Sequence, residues 1–169
     1  MINPIVKYGE KILQERSTTV AQITSETQTL IDHMIETMYA APGIGLAAPQ
    51  IGAPFRIFVV DLSVGHKPED LIVAINPEFI ELNGKQREEE GCLSIPGFTA
   101  TVERPTRVIL KSLDRNGSEQ TFEGTEILAR AFQHEMDHLD GKLFIDCLMG
   151  IKRHLILRKI QKLRRIGKW

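Results

Sequence analysis

His134-Glu135-Met136-Asp137-His138 is the stretch whose reading decides the fold. An α-helix turns once in about 3.6 residues, so two histidines four apart stand one above the other on the same face. In that register two imidazoles can close on a single metal ion, with Glu135 beside them to work on a water held there. Charged surface helices also produce this pentad, and the flanking residues separate the two cases. Upstream, Ile127, Leu128, Ala131 and Phe132 recur at helical spacing, and His134 and His138 extend that apolar side. Gly141 follows as a stop signal. A helix that carries two imidazoles on its buried stripe must satisfy them there, and a metal does so.

A catalytic site of this type takes three protein ligands and keeps one position open. A third histidine six residues after His138 is excluded, because position 144 is Phe144. A downstream glutamate is excluded as well, since none follows Glu135. Asp137, Asp140, Asp146, Cys147 and His154 remain downstream, and Asp137 points away from the histidine face. Upstream, Cys92 lies in Glu88-Glu89-Glu90-Gly91-Cys92-Leu93-Ser94-Ile95-Pro96-Gly97. Glycines allow that backbone to approach a ligand closely, and a thiolate suits a transition metal. Cys92 is therefore the expected third ligand, and Cys147 is expected to be an ordinary buried free cysteine.

Three stretches, Gly43-Ile44-Gly45-Leu46-Ala47-Ala48-Pro49-Gln50, Glu90-Gly91-Cys92-Leu93-Ser94 and Gln133-His134-Glu135-Met136-Asp137-His138, resemble in order the signature motifs of peptide deformylases. The resemblance covers essentially the whole chain. It implies an enzyme that removes the formyl group from the N-terminal formyl-methionine of new proteins and releases formate. It further implies Cys92, His134 and His138 as metal ligands and Glu135 as the catalytic carboxylate. Gln50 and the Leu93 N–H are implied to polarise the formyl oxygen, and Gly45 to pair with the substrate backbone. Ile44, Gly45, Ile127 and Ala131 are expected around the substrate side-chain pocket. The implied metal is one divalent ion, ferrous iron in the native enzyme, with zinc, nickel or cobalt able to substitute. An endopeptidase built on the same pentad is disfavoured by the missing downstream ligand. An RNA-binding module with a structural metal would need a fourth protein ligand, for which Cys147 is the candidate.

The length of 169 residues fits one domain with a real core. Two cysteines make no disulfide framework, and a metal thiolate needs a reducing setting. The first ten residues resemble neither a signal peptide nor a transit peptide, so the cytoplasm is the expected location. No membrane or DNA partner is expected. The reading is α+β: antiparallel strands packed around a central metal-binding helix, with a C-terminal helix. Ser25 and Gln28 suggest a capping box before an amphipathic helix through Met38 that ends near Pro42-Gly43. Strands are expected at 56–62, 71–82, 99–103, 107–113 and 120–123, with a hairpin turn at Asn116-Gly117 and an extended piece at 143–145. Residues 151–169 carry eight Lys/Arg and no acid, leaving 13 basic against 22 acidic residues elsewhere. Leu155, Ile156, Ile160 and Leu163 make this a basic amphipathic helix. It is either a docked helix with a solvated face or, as the resemblance implies, a contact to the ribosome near the emerging chain.

Overall fold

The computed structural model describes residues 1–169. Three α-helices, α1 (Ser25–Ala40), α2 (Glu126–Leu139) and α3 (Ile151–Arg165), accompany seven strands. The strands are β1 (Gly45–Ala47), β2 (Ile57–Val60), β3 (Ile72–Asn83), β4 (Gln86–Cys92), β5 (Ile95–Arg104), β6 (Arg107–Leu113) and β7 (Glu119–Thr125). They form a five-stranded sheet in the order β1-β2-β3-β6-β7 and a separate β4-β5 hairpin. Every pairing between these strands is antiparallel.

The larger sheet is covered on both faces. Ile57, Phe58, Val59 and Val60 of β2 are all fully buried, because alternate residues serve different partners. Phe58 and Val60 join Phe132, Met136 and Leu139 of α2. Ile57 and Val59 join Ile31, Met34 and Met38 of α1. The opposite side of α2 meets the β4-β5 hairpin through polar groups, so α2 lies between the two sheets as the central helix. Ile95 and Val102 of the hairpin pack in turn on Leu143, Phe144 and Ile145 and on Ile156 and Ile160 of α3. Gly141 ends α2 with φ +77, and a side chain there would meet the Gln14 carbonyl oxygen at 2.7 Å.

Several local expectations are corrected. The capping box of α1 is formed by Thr24 and Thr27, one residue earlier than Ser25 and Gln28. The Gln28 side chain is drawn instead to the β6-β7 loop, where its Nε2 donates to the Arg115 carbonyl at 2.5 Å. Residues Phe144–Cys147 are a short 3₁₀ turn rather than an extended piece, because the Asp146 carboxylate accepts from the Leu143 N–H at 2.9 Å. Cys147 is free but exposed, not buried. The strand β4 was not anticipated, since Glu88 and Glu89 face solvent and carry no apolar alternation. The Asn116-Gly117 turn forms as expected, with Asp114 Oδ1 accepting from the N–H groups of Asn116 at 2.8 Å and Ser118 at 3.0 Å.

Candidate functional site

The β4-β5 hairpin brings Cys92 to α2. Its Sγ lies 3.4 Å from His138 Nε2, and the donor atoms of Cys92, His134 and His138 all fall within 4.8 Å of one another. Two ligands bound tetrahedrally at about 2.3 Å (sulfur) and about 2.0–2.1 Å (nitrogen) are themselves roughly 3.6 Å apart, so this spacing fits one transition-metal ion. The donor set of one thiolate and two imidazoles fits the same kind of ion. Cys147 does not join it; the Cys147 thiol lies 3.8 Å from Asp137 Oδ2, outside the cluster. With three protein donors the site has the makeup of a catalytic rather than a structural centre.

Glu90 organises the ring of His134. It stands two residues before Cys92 on β4, across a register irregularity between Gly91 and Cys92, and both side chains reach α2. Its Oε1 accepts from His134 Nδ1 at 2.8 Å, which leaves Nε2 of that ring for the metal. The same carboxylate accepts from Arg104 Nε at 2.6 Å and Nη2 at 2.9 Å, and from Arg130 Nη1. Burial opposes its charge, but the hydrogen bonds from His134 and Arg104 prevail and hold its pKa at about 2. Arg104 Nη1 also donates to Asp137 Oδ2 at 2.9 Å, tying β5 to α2 on the far side of His134. Arg130 Nη2 donates to the Val102 carbonyl at 2.9 Å. Burial disfavours charge on both imidazoles. For His134, hydrogen bonds to Cys92 and Glu90 overcome it and raise the pKa well above the usual value. For His138, burial, reinforced by the nearby charges of His134 and Arg104, pushes the pKa well below the usual value.

Glu135 is 4% exposed, and its Oε2 has no hydrogen-bond partner. Burial pushes its carboxyl up to about 7. Gln50 is equally buried, and both ends of its amide are fixed. The Ala47 N–H donates to Oε1 at 2.9 Å, while Nε2 donates to Ser94 Oγ at 3.1 Å and lies 3.7 Å from Cys92 Sγ. These contacts turn the Gln50 N–H groups toward the metal ligands.

A cleft of about 1180 Å³ opens beside this cluster. Ile44, Gly45, Gln50, Cys92, Leu93, Ile127, Ala131, His134 and Glu135, all expected from the sequence, line it. His138 lies behind them, 1% exposed. The roles of Glu90, Arg104 and Ser94 were not anticipated. Nothing local marks Glu90, whose neighbours Glu88 and Glu89 are exposed, or Arg104, which reaches α2 only through the hairpin's packing.

Gly45 is required by a close approach. A Cβ there would sit 2.5 Å from Glu135 Oε1 and 3.0 Å from its Cδ. The buried Glu135 has little room to retreat. Gly45→Ala is therefore expected to lower kcat/KM by about 10²-fold through misplacement of the carboxylate, with metal content unchanged. Steady-state kinetics with metal analysis would check this, and full activity would contradict the close approach.

A sequence model of the polypeptide deformylase family matches residues 2–154. A peptide deformylase of Acidobacterium capsulatum is 48% identical over 169 residues, covering 100% of this chain and 99% of the relative. That of Thermodesulfovibrio yellowstonii is 52% identical over 157 residues, covering 93% and 95%. Among solved structures, a peptide deformylase from Legionella pneumophila superposes with a TM-score of 0.92 at 41% identity, covering 99% of this chain and 98% of that one. The Ehrlichia chaffeensis peptide deformylase in complex with actinonin superposes with a TM-score of 0.88 at 35% identity, covering 97% and 98%. The chain belongs to the peptide deformylase family.

Proposed function

We propose that Cys92, His134 and His138 hold the metal of this enzyme and that Glu135 moves the proton in its reaction. The protein is a metal-dependent peptide deformylase, which removes the N-formyl group from nascent peptides. The observation that carries the residue assignment is the convergence of three metal-type donor atoms beside the buried, unpartnered oxygen of Glu135. A bound divalent ion lowers the pKa of water and draws charge from a carbonyl oxygen.

The chain's own groups supply the rest. Glu135 accepts the proton that water gives up as it attacks the formyl carbon, and returns it to the departing amine of methionine. Formate and a free amino terminus result. The Gln50 amide and the Leu93 N–H donate to the oxygen on which negative charge develops, each such donor being worth about 3–4 kcal/mol. Gly45 pairs with the substrate backbone, and Ile44, Ile127 and Ala131 flank the methionine side chain. We read residues 1–169 as one catalytic domain working in the cytoplasm; no helix is long and apolar enough to cross a membrane.

Incubation with formyl-Met-Ala and with acetyl-Met-Ala tests the reading. Formate release from the first should exceed acetate release from the second by on the order of 10²-fold, because a closed site rejects one extra methyl group. Cleavage of the Met-Ala bond would instead mark an endopeptidase.

The basic face of α3 supports a contact with ribosomal RNA. Arg158, Lys159, Lys162 and Arg165 share an exposed groove on α3, while Ile156 and Ile160 anchor the helix to the body. Binding to ribosomes should weaken steeply between low and moderate salt and drop on charge reversal of these four residues. Co-sedimentation measures both, and salt-independent binding would remove α3 from this role.

A further inference from the structure

Phe98 lines the cleft on the β5 side, and its ring packs against Trp169 with centroids 6.1 Å apart and planes at 58°. The indole Nε1–H of Trp169 donates to the Tyr8 carbonyl at 2.9 Å, and the Lys7 ammonium lies 6.0 Å from the indole ring centre. Trp169 is thus attached to the cleft wall on one side and to the amino-terminal segment on the other. That segment is bonded to the loops that carry the site. The Val6 N–H donates to the Gln50 carbonyl at 2.7 Å, and the Tyr8 N–H donates to the Ser94 carbonyl at 2.8 Å. Ser94 in turn holds the Gln50 amide. The end of α3 closes over the same segment: a Cβ on Gly9 would lie 2.8 Å from Arg164 Nη1.

We propose that Trp169 is a positioning residue for the substrate cleft, holding the Phe98 wall, with its own indole anchored by the Tyr8 carbonyl. The proposal rests on the cleft being the peptide-binding surface. No hydrogen bond or ring contact joins Trp169 to Cys92, His134 or His138; its partners are Tyr8, Phe98 and Lys7. Its loss loosens the wall against which peptide binds and leaves the proton-transfer geometry of Glu135 in place. The effect therefore belongs in KM rather than kcat. The aromatic pair is the part of the link that a substitution removes most cleanly, since an offset ring contact has a measurable value beyond its buried area.

The test uses the metal-loaded enzyme and formyl-Met-Ala-Ser. Trp169→Ala should raise KM about 3- to 10-fold with kcat held within about twofold, and Trp169→Phe should recover most of the loss by restoring a ring against Phe98. The double variant with Phe98→Ala should be no worse than the poorer single variant. Trp169 is the only tryptophan of the chain, so its emission is a direct probe. Adding the product Met-Ala-Ser should shift that emission in the unsubstituted enzyme and not in Phe98→Ala. An unchanged KM in Trp169→Ala, a fall in kcat with loss of metal, or an emission blind to the peptide would each overturn the proposal. Should Trp169→Ala fail to fold, the emission response of the unsubstituted enzyme decides alone. Absence of formate release from the unsubstituted enzyme would instead count against the reaction assigned above.

Discussion

Glu135→Ala and Glu135→Gln are expected to keep their metal and lose turnover by about 10³–10⁴-fold. The carboxylate lies on α2 between the two histidines, 4% exposed, with one oxygen that no protein group satisfies. A buried acceptor without a partner costs stability, so its persistence implies a partner supplied from outside, the water or the substrate. Burial, the largest of several opposing influences, pushes the group up to about 7. An adjacent cation has the opposite effect and favours the ionised form, which is the form able to take a proton. Glutamine matches the shape of glutamate and cannot accept that proton, so the two variants should fail alike. Metal analysis with single-turnover formate release distinguishes this from a folding defect. Near-normal turnover in either variant would remove Glu135 from its role.

Cys92→Ser is expected to lower bound metal to a small fraction of one equivalent and to reduce activity to background. A hydroxyl in place of the thiolate is a weak ligand for the ions that a Cys-His-His set selects. Because β4 pairs with β5 through seven registered residue pairs, the hairpin should persist and the variant should melt close to the metal-free unsubstituted protein. X-ray absorption on the unsubstituted protein should show one sulfur at about 2.3 Å from the metal, and that scatterer should vanish in the variant. The same spectrum identifies the ion. Ferrous iron in anaerobically purified protein, with activity lost on peroxide treatment, is the expected result. Full metal retention in Cys92→Ser would overturn the ligand set.

The legible parts of this protein are those written in short-range periodicity. Helix α2 was readable because its apolar residues and its histidines share one 3.6-residue stripe. The Asn116-Gly117 turn was readable because a turn of this kind is decided within a few residues. Strand β4 was opaque, since its Glu88-Glu89-Glu90 run hides a buried glutamate beside two exposed ones. The capping of α1 slipped by one residue because Gln28 answers to Arg115, 87 positions along the chain.

The local register of residues 134–138 settled that two imidazoles and a carboxylate would share one helix, and the order of the three motifs settled the family resemblance. Only packing decided that Cys92 arrives 3.4 Å from His138 and that Glu90 sets the ring of His134. Packing also decided that Gly45 leaves room for Glu135 and that Trp169 backs Phe98. The physical reason is range: a helix repeats through bonds between near neighbours in the chain. These contacts join residues 44 or more positions apart, and their distances exist only once two sheets have closed on α2.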